Sequence, residues 1–409
     1  MSSVDDLVNE LCPRGVPISP LWRLTTWDKR FNAVDRSKQP AVEKYRYFLA
    51  KDLTPLLVDG GDIKILTTSE SDLWTTEEAV GGPVHDAEVV AIPWGGNAIV
   101  QYHHGKFITS DNRIAIANDS SVLDMKYLYY FLQAHIETLS SFYRGSGIKH
   151  PSMARVLDWQ IPVPPLEVQR EIVRILDQFT HLEAVLKAEL EARRVQHAHY
   201  WNVLLTPDTD WSKLTVGDVS DVFDGPHATP KKTADGPWYL SISSLQLGRF
   251  RFAESAHLDD ADLPRWTRRV APRRGDTLFS YETRLGQAAL WESDEPAALG
   301  RRMGLLRPKQ EIVDPRFLTL AYLGPQFQSV IRANTVTGST VDRIPIADMA
   351  SWEIQIPSLE KQRRIVRTLD TFDTLVNDLK IGLPAQINAR RKQFEYYRGK
   401  LLTFEETTA

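Results

Sequence analysis

Residues 161–179 read IPVPPLEVQREIVRILDQF and residues 354–372 read IQIPSLEKQRRIVRTLDTF, identical at twelve of nineteen positions at an offset of 193. A second block follows in each copy: 192–205, ARRVQHAHYWNVLL, matches 389–402, ARRKQFEYYRGKLL, at seven of fourteen positions and an offset of 197. Upstream, Gly145-Ser146 aligns with Gly338-Ser339 and Trp159 with Trp352. A repeat of this length, with a dissimilar segment before each copy, fixes the order variable–helix–variable–helix.

The repeated blocks read as helices. Pro165 or Ser358 stands at the start, where proline is tolerated or a hydroxyl can cap. Ile365, Leu369, Phe372, Val376 and Leu379 alternate by four and three, a coiled-coil seam. Ile172, Leu176, Phe179, Leu186 and Leu190 keep much of that seam, with Glu183 replacing Val376 and Leu182 and Val185 expected to cover the gap. Each helix is expected to run for about 40 residues, roughly 60 Å. A stripe that long needs a partner, and the natural one is the other copy, antiparallel. The offset changes near Lys380-Ile381-Gly382-Leu383-Pro384, where Gly and Pro predict a kink or break. Glu167/Glu360, Gln169/Gln362 and Arg174/Arg367 repeat more faithfully than a packing stripe requires.

The 409 residues, 42% apolar and 25% charged, suit two or three globular domains. The single cysteine, Cys12, excludes an intramolecular disulfide framework and a Cys-based zinc cluster, and suits a reducing cytosol. The opening MSSVDDLVNELCPRG lacks the basic and apolar regions of a signal peptide, and no apolar run approaches the ~18 residues of a membrane span. The variable segments read as mixed α/β. Strand-like runs are Val89–Ile92, Ala98–Val100 and Arg113–Ile116 in the first, and Trp238–Ile242, Asp276–Ser280 and Ala288–Trp291 in the second. Each ends in an aromatic helical stretch, Met125 to Leu139 and Pro315 to Ile331.

The net charge of −4 carries no sign of nucleic-acid binding, and neither variable segment is basic as a whole: 16 basic against 20 acidic residues in 1–158, and 18 against 20 in 207–353. Any such face must be local. Candidate cation clusters are Lys106 beside His103 and His104, Arg144 with Lys149 and His150, Lys231-Lys232, the stretch Arg265, Arg268, Arg269, Arg273 and Arg274, and Arg301-Arg302; Arg284 joins this set. Such clusters can track phosphates, although each also fits a solvated face. Catalytic motifs are missing. Gly105-Lys106 and Gly399-Lys400 lack the following Ser or Thr of a phosphate-binding loop, Gly145-Ser146-Gly147 has no third glycine, and no His-Glu-x-x-His helix occurs.

The blocks Pro164-Pro165-Leu166-Glu167-x-Gln169-Arg170-x-Ile172-Val173 and Pro357-Ser358-Leu359-Glu360-x-Gln362-Arg363-x-Ile365-Val366 resemble the repeated regions of type I restriction–modification specificity subunits. The stretch Ala389 to Arg398 is similar to that family's ending, and Trp211 to Asp218 and Asp224-Gly225-Pro226-His227-x-Thr229-Pro230 resemble its target-recognition domains. The resemblance implies an α+β chain: two mixed α/β recognition domains, 1–160 and 207–353, in a pseudo-two-fold arrangement, joined by long helices, 161–206 and 354–409, forming an antiparallel coiled coil. It implies a non-catalytic cytoplasmic subunit that reads one half of a bipartite, asymmetric DNA site with each domain, while the helices set the gap. Lys106, Arg144, Lys149, His227, Thr229, Lys231, Lys232, Arg265, Arg268, Arg269 and Arg284 are then the candidates for touching DNA. Two methyltransferase subunits would dock on the helices through Glu167, Gln169, Arg170, Arg174, Glu360, Gln362, Arg363 and Arg367. S-adenosylmethionine would sit on those partners, and ATP and Mg on a separate restriction and translocation subunit. Two other classes remain open: a coiled-coil scaffold whose flanking domains bind protein, and a self-contained nuclease or methyltransferase.

Overall fold

The computed structural model describes residues 2–246, 248–338, 341–378 and 380–404; Ser339 and Leu379 lie outside that set. The chain forms two compact units, residues 1–185 with 387–409, and residues 186–386. The long helix Leu166–Leu204 contributes its first half to one unit and its second half to the other.

The first unit is built on a six-stranded sheet in the order Thr25–Trp27, Asn112–Ala117, His85–Pro93, Gln101–Thr109, Ile63–Leu66, Leu73–Thr75. All neighbours are antiparallel except Ile63–Leu66 with Gln101–Thr109. The run Val89-Val90-Ala91-Ile92 is buried throughout because both sheet faces are covered. Val90 and Ile92 point to the helical core with Tyr127, Leu128 and Phe131, while Val89 and Ala91 point to a smaller core with Phe107 and Ile114. Ala98–Val100, expected as a strand, is connection instead, because the ladder between His85–Pro93 and its neighbour ends at the pair Ala91 and Gln101.

The second unit repeats the centre of this design. Ser220–Asp224, Met303–Pro308, Thr277–Ser280 and Ala288–Leu290 form an antiparallel sheet in the same order as the first four strands above. Phe279 and Leu306 face the helical core, and Leu278 and Leu305 face the other. In the three-stranded sheet Ala256–His257, Thr233–Leu240, Ala297–Leu299 the central strand is antiparallel to the first and parallel to the last, as Ile63–Leu66 is to Leu73–Thr75 and Gln101–Thr109. A short antiparallel ladder joins entry and exit of each domain: Ile18–Pro20 with Gln160–Pro162, and Ser212–Thr215 with Glu353–Ile356.

Each aromatic helical stretch is two helices rather than one. Met125–Ala134 gives way to Ile136–Ser141 at His135, which leaves helical geometry (φ −110°, ψ 33°). Pro315–Leu323 gives way to Pro325–Asn334, since Pro325 has no N–H to donate and holds Gly324 extended (ψ 156°). The N-terminal helix Ser2–Leu11 has no forerunner in the sequence reading; its Val4 is buried in the core that holds Leu401 and Leu402.

The first repeat is one helix of 39 residues. The second is two helices, Leu359–Asn377 and Leu383–Leu401, broken where the glycine and proline predict. Asp378 Oδ1 accepts from the backbone N–H of Lys380 (2.6 Å) and Ile381 (3.1 Å), which turns the chain. Gly382 is required there: a Cβ would stand 2.5 Å from the Thr374 carbonyl oxygen. In the first unit Phe179 stacks on Tyr397 (5.2 Å between centroids, 25° between planes). Further along the long helix, Glu183 accepts from Arg391 (3.0 Å), earlier on its neighbour, so these helices run antiparallel. In the second unit Tyr200 stacks on Phe372 with the same 5.2 Å and 25°. Phe179 and Phe372, like Tyr200 and Tyr397, are repeat equivalents. Each stack contributes about 1 kcal/mol beyond its buried area. Leu182 and Val185 do not close the seam at Glu183; they are 43% and 49% exposed, and the Arg391 ion pair occupies the gap instead.

Candidate nucleic-acid interface

In both domains the strand ends beyond the central ladder gather polar side chains. In the first, Trp94 follows strand His85–Pro93 and carries Arg113 over its ring at 4.9 Å and Lys29 at 5.0 Å. Arg113 is buried and donates to Asp28 Oδ2 at 2.5 Å. Burial pushes the Asp28 carboxyl above its ordinary pKa, against the pull of Arg113. These groups line a cavity of about 470 Å³ with Tyr45 and Asn112. Tyr45 Oη, Asn112 Oδ1 and Arg113 Nε are buried there without a hydrogen-bond partner. Beside it stands a hairpin whose ladder pairs Arg144 with His150; Arg144, Lys149 and His150 are exposed. His150 Nδ1 lies 2.7 Å from the Trp94 carbonyl oxygen, tying hairpin to cavity.

Lys106 is elsewhere. It sits opposite Asp86, near the start of the strand whose far end leads to Trp94, and its ammonium is held by Glu77 at 2.6 Å. The cluster expected around Lys106 therefore does not join Arg144 and Lys149. His103, its expected companion, turns its Nε2 to the Lys106 carbonyl oxygen (2.9 Å), and burial lowers its pKa.

In the second domain two sequence-distant segments meet. Gly225, Pro226, His227 and Ala228 line a cavity of about 510 Å³ with Arg265, Trp266, Arg268 and Arg269. Asp224 Oδ2 accepts from His227 Nε2 (2.8 Å) and Arg269 Nη1 (2.9 Å) and so fixes both side chains. Arg268, Thr229, Lys231 and Lys232 are exposed, and Lys232 lies 5.9 Å from the Tyr239 ring. Arg274 is held by Asp294 (2.7 Å). The Arg284 guanidinium is spent internally, donating to the carbonyl oxygens of Leu245 (3.0 Å), Ile242 (3.4 Å) and Ser243 (3.5 Å). That role fixes a strained turn, with Thr283 at φ 47° and Arg284 at φ 49°. Here too polar atoms are buried, Asp224 Oδ1, Tyr281 Oη and Arg302 Nε, and the Tyr281 hydroxyl lies against both the Asp224 carboxylate and the Arg302 guanidinium. Burial and the Asp224 charge raise the Tyr281 hydroxyl pKa.

Tyr281 and Trp94 hold equivalent places after the paired strands Thr277–Ser280 and His85–Pro93. Sequence reasoning missed Asp28, Trp94, Arg113 and Tyr281, which come from separate strand ends, and named Arg302 only as half of the cation pair Arg301-Arg302. Buried polar groups thus gather at the same place in two domains, and the exposed side chains around them are the ones a ligand can reach. Exposed cations around them suit phosphates.

The repeated helix positions divide into two kinds. Gln169 is fully buried; its Oε1 accepts from the Asp124 N–H (2.9 Å), and its Nε2 donates to the carbonyl oxygens of Val122 and Pro164 (2.8 Å each). Gln362 does the same with Asp314 N–H (2.8 Å), Ile312 (3.1 Å) and Pro357 (2.8 Å). Both were expected to face a docked subunit; both instead clamp a domain to its helix and leave no surface to offer. Lys126–Asp177 (2.7 Å) and Arg316–Asp370 (2.8 Å) add the same ion pair to each clamp. Glu167, Arg170, Arg174, Glu360, Arg363 and Arg367 are exposed. Arg174 is pinned by Glu171 through two bonds of 2.6 and 2.7 Å, whereas Arg364 stands at the corresponding position before Arg367. Among the described residues no group of three or more His, Cys, Asp or Glu could hold a metal ion, and no helix is long and apolar enough to cross a membrane.

Known proteins resemble this chain in sequence and fold. The family described as "Type I restriction modification DNA specificity domain" matches residues 45–192 and 270–389. A type I restriction enzyme specificity subunit of Escherichia coli is 30% identical over 312 residues, covering 71% of this chain and 73% of its own. A putative type I restriction enzyme specificity subunit of Haemophilus influenzae is 28% identical over 345 residues, covering 80% and 86%. Among solved structures, the type I restriction–modification S subunit from M. genitalium superposes with a TM-score of 0.57 over 95% of this chain and 96% of its own, at 14% identity.

Proposed function

The chain belongs to the type I restriction modification DNA specificity family, and from that premise we propose that its two domains, residues 1–160 and 207–353, each read one half of a split, asymmetric duplex site. The observation that carries this reading is the duplicated edge: a cavity, gathered polar groups and exposed cations recur at equivalent strand ends of the two domains. Arg144 and Lys149 in one domain, and Arg265, Arg268, Lys231 and Lys232 in the other, supply phosphate contacts, and exposed side chains beside them supply base-edge contacts.

In this reading the helices, 161–206 and 354–409, set the gap between half-sites. Two methyltransferase subunits dock on Glu167, Arg170, Arg174, Glu360, Arg363 and Arg367, bringing S-adenosylmethionine with them. A restriction subunit brings ATP and Mg, and the complex works in the cytoplasm. The decisive experiment sequences modified adenines in host DNA with and without this gene. A single bipartite motif should lose its methylation when the gene is removed. An unchanged methylation map would end the reading.

A further inference from the structure

Ile148 stands out from the first domain's fold. It is 71% exposed, and it belongs to none of the hydrophobic cores although it is a large β-branched residue. It sits at the tip of the hairpin that joins Tyr143–Arg144 to His150–Pro151. The hairpin is stiff at its base. Tyr143 Oη donates to the Pro93 carbonyl oxygen (2.8 Å), and the Gly96 N–H donates to that of Lys149 (2.9 Å). Its turn is equally constrained: Gly145 has φ 148°, and a Cβ on it would stand 2.6 Å from the Ile148 carbonyl oxygen. Ile148 Cγ2 rests over Gly95, where a Cβ would stand 3.0 Å from it, and the rigid support holds the remainder of this apolar side chain in water.

The neighbours of that side chain are cationic. Arg144 and Lys149 are exposed on the same hairpin, His150 adjoins, and Lys29 lies over the Trp94 ring to which the hairpin is tied. The second domain keeps two of these features at an offset of 193. A Cβ on Gly338 would stand 2.4 Å from the Val341 carbonyl oxygen, and Val341 is 42% exposed. There Asp342 replaces Lys149 and Arg343 replaces His150.

We infer that Ile148 is a base-contacting, specificity-determining side chain of the first domain, entering a groove of duplex DNA between phosphates held by Arg144 and Lys149. An apolar tip between two cations matches a duplex, whose charged backbones flank apolar base surfaces such as thymine methyl groups or a partly opened step. The inference rests on the two-reader function above.

The test uses the full-length chain co-expressed with its modification subunits. The probe is a duplex bearing the mapped methylation site, with a panel of single-base-pair substitutions across both halves, titrated at several salt concentrations. Ile148→Ala should lower discrimination about tenfold at one or two positions of one half-site, the scale of a single mismatch, and leave the salt slope unchanged. Ile148→Leu should restore much of it. Arg144→Ala and Lys149→Ala should weaken every duplex alike and reduce the slope by about one each. Val341→Ala should affect only the other half-site. Wild-type discrimination at every position in Ile148→Ala, or equal weakening of all duplexes, overturns the inference and leaves the two-reader function standing. A wild-type complex without any sequence discrimination overturns both.

Discussion

The two halves agree where each domain meets its helix and disagree where each domain ends in solvent. At the helix, Gln169 and Gln362 make the same three hydrogen bonds, and Asp124 and Asp314 cap equivalent helices through two backbone N–H groups each. Asp177 and Asp370 accept equivalent cations, and the two aromatic stacks coincide in distance and angle. At the strand ends, Trp94 between two cations stands where Tyr281 stands near Asp224 and Arg302. A buried polar clamp tolerates no drift, because losing one partner strands the other away from water. The exposed side chains around each edge carry no such penalty, so they can diverge with the ligand they meet.

The comparison can be broken most severely by exchange. Replacing residues 207–353 with the matching domain of a relative should change one half of the methylated motif completely and keep the other. A map in which both halves change, or neither, would show that the halves are not independent readers.

Next in size is the gap. Four residues inserted near Lys187 lengthen the helix by ~6 Å and nearly preserve its face. The non-specific spacing should widen by about one or two base pairs, at ~3.4 Å each. An active variant with the original spacing would show that the helix does not set it.

The clamps sharpen the likeness of the halves. Gln169→Ala and Gln362→Ala should each lower the free energy of unfolding by about 2–3 kcal/mol, since each leaves buried backbone groups unpaired. Denaturant melts of the two variants should agree; loss in one alone would mean that only one clamp bears load.

Docking tests where the helix copies part company. Changing Arg174 and Arg367 to Glu should weaken co-purification with the modification subunit several-fold. Arg367→Glu should act more strongly alone, because Arg174 is already pinned by Glu171. Undiminished co-purification would remove this face from the docking surface.

The smallest effect is expected at the second domain's edge. Arg268→Ala should reduce the salt slope of duplex binding by about one. Arg269→Ala should reduce it less, because Asp224 already offsets that charge. Equal slopes in both variants would assign the pair to a solvated face.

The sequence by itself determined the duplicated plan. Identity at twelve of nineteen positions, the seam at Ile365, Leu369 and Val376, and the break at Gly382-Leu383-Pro384 placed the helices, since apolar periodicity and backbone chemistry act locally. Strands around Val89–Ile92 and Asp276–Ser280 were legible for the same reason. Local pattern could not tell a buried glutamine from an exposed one. Gln169 looks like a docking residue in a charged run, and only the approach of Val122 and Asp124, more than forty residues away in sequence, makes it a clamp. The way the edges assemble was beyond sequence. Asp28, Trp94 and Arg113 are ordinary residues on three separate stretches, as are Asp224, Tyr281 and Arg302. Strand order brings them together, and strand order is fixed by which faces bury against the helices, a property of the whole fold rather than of any segment.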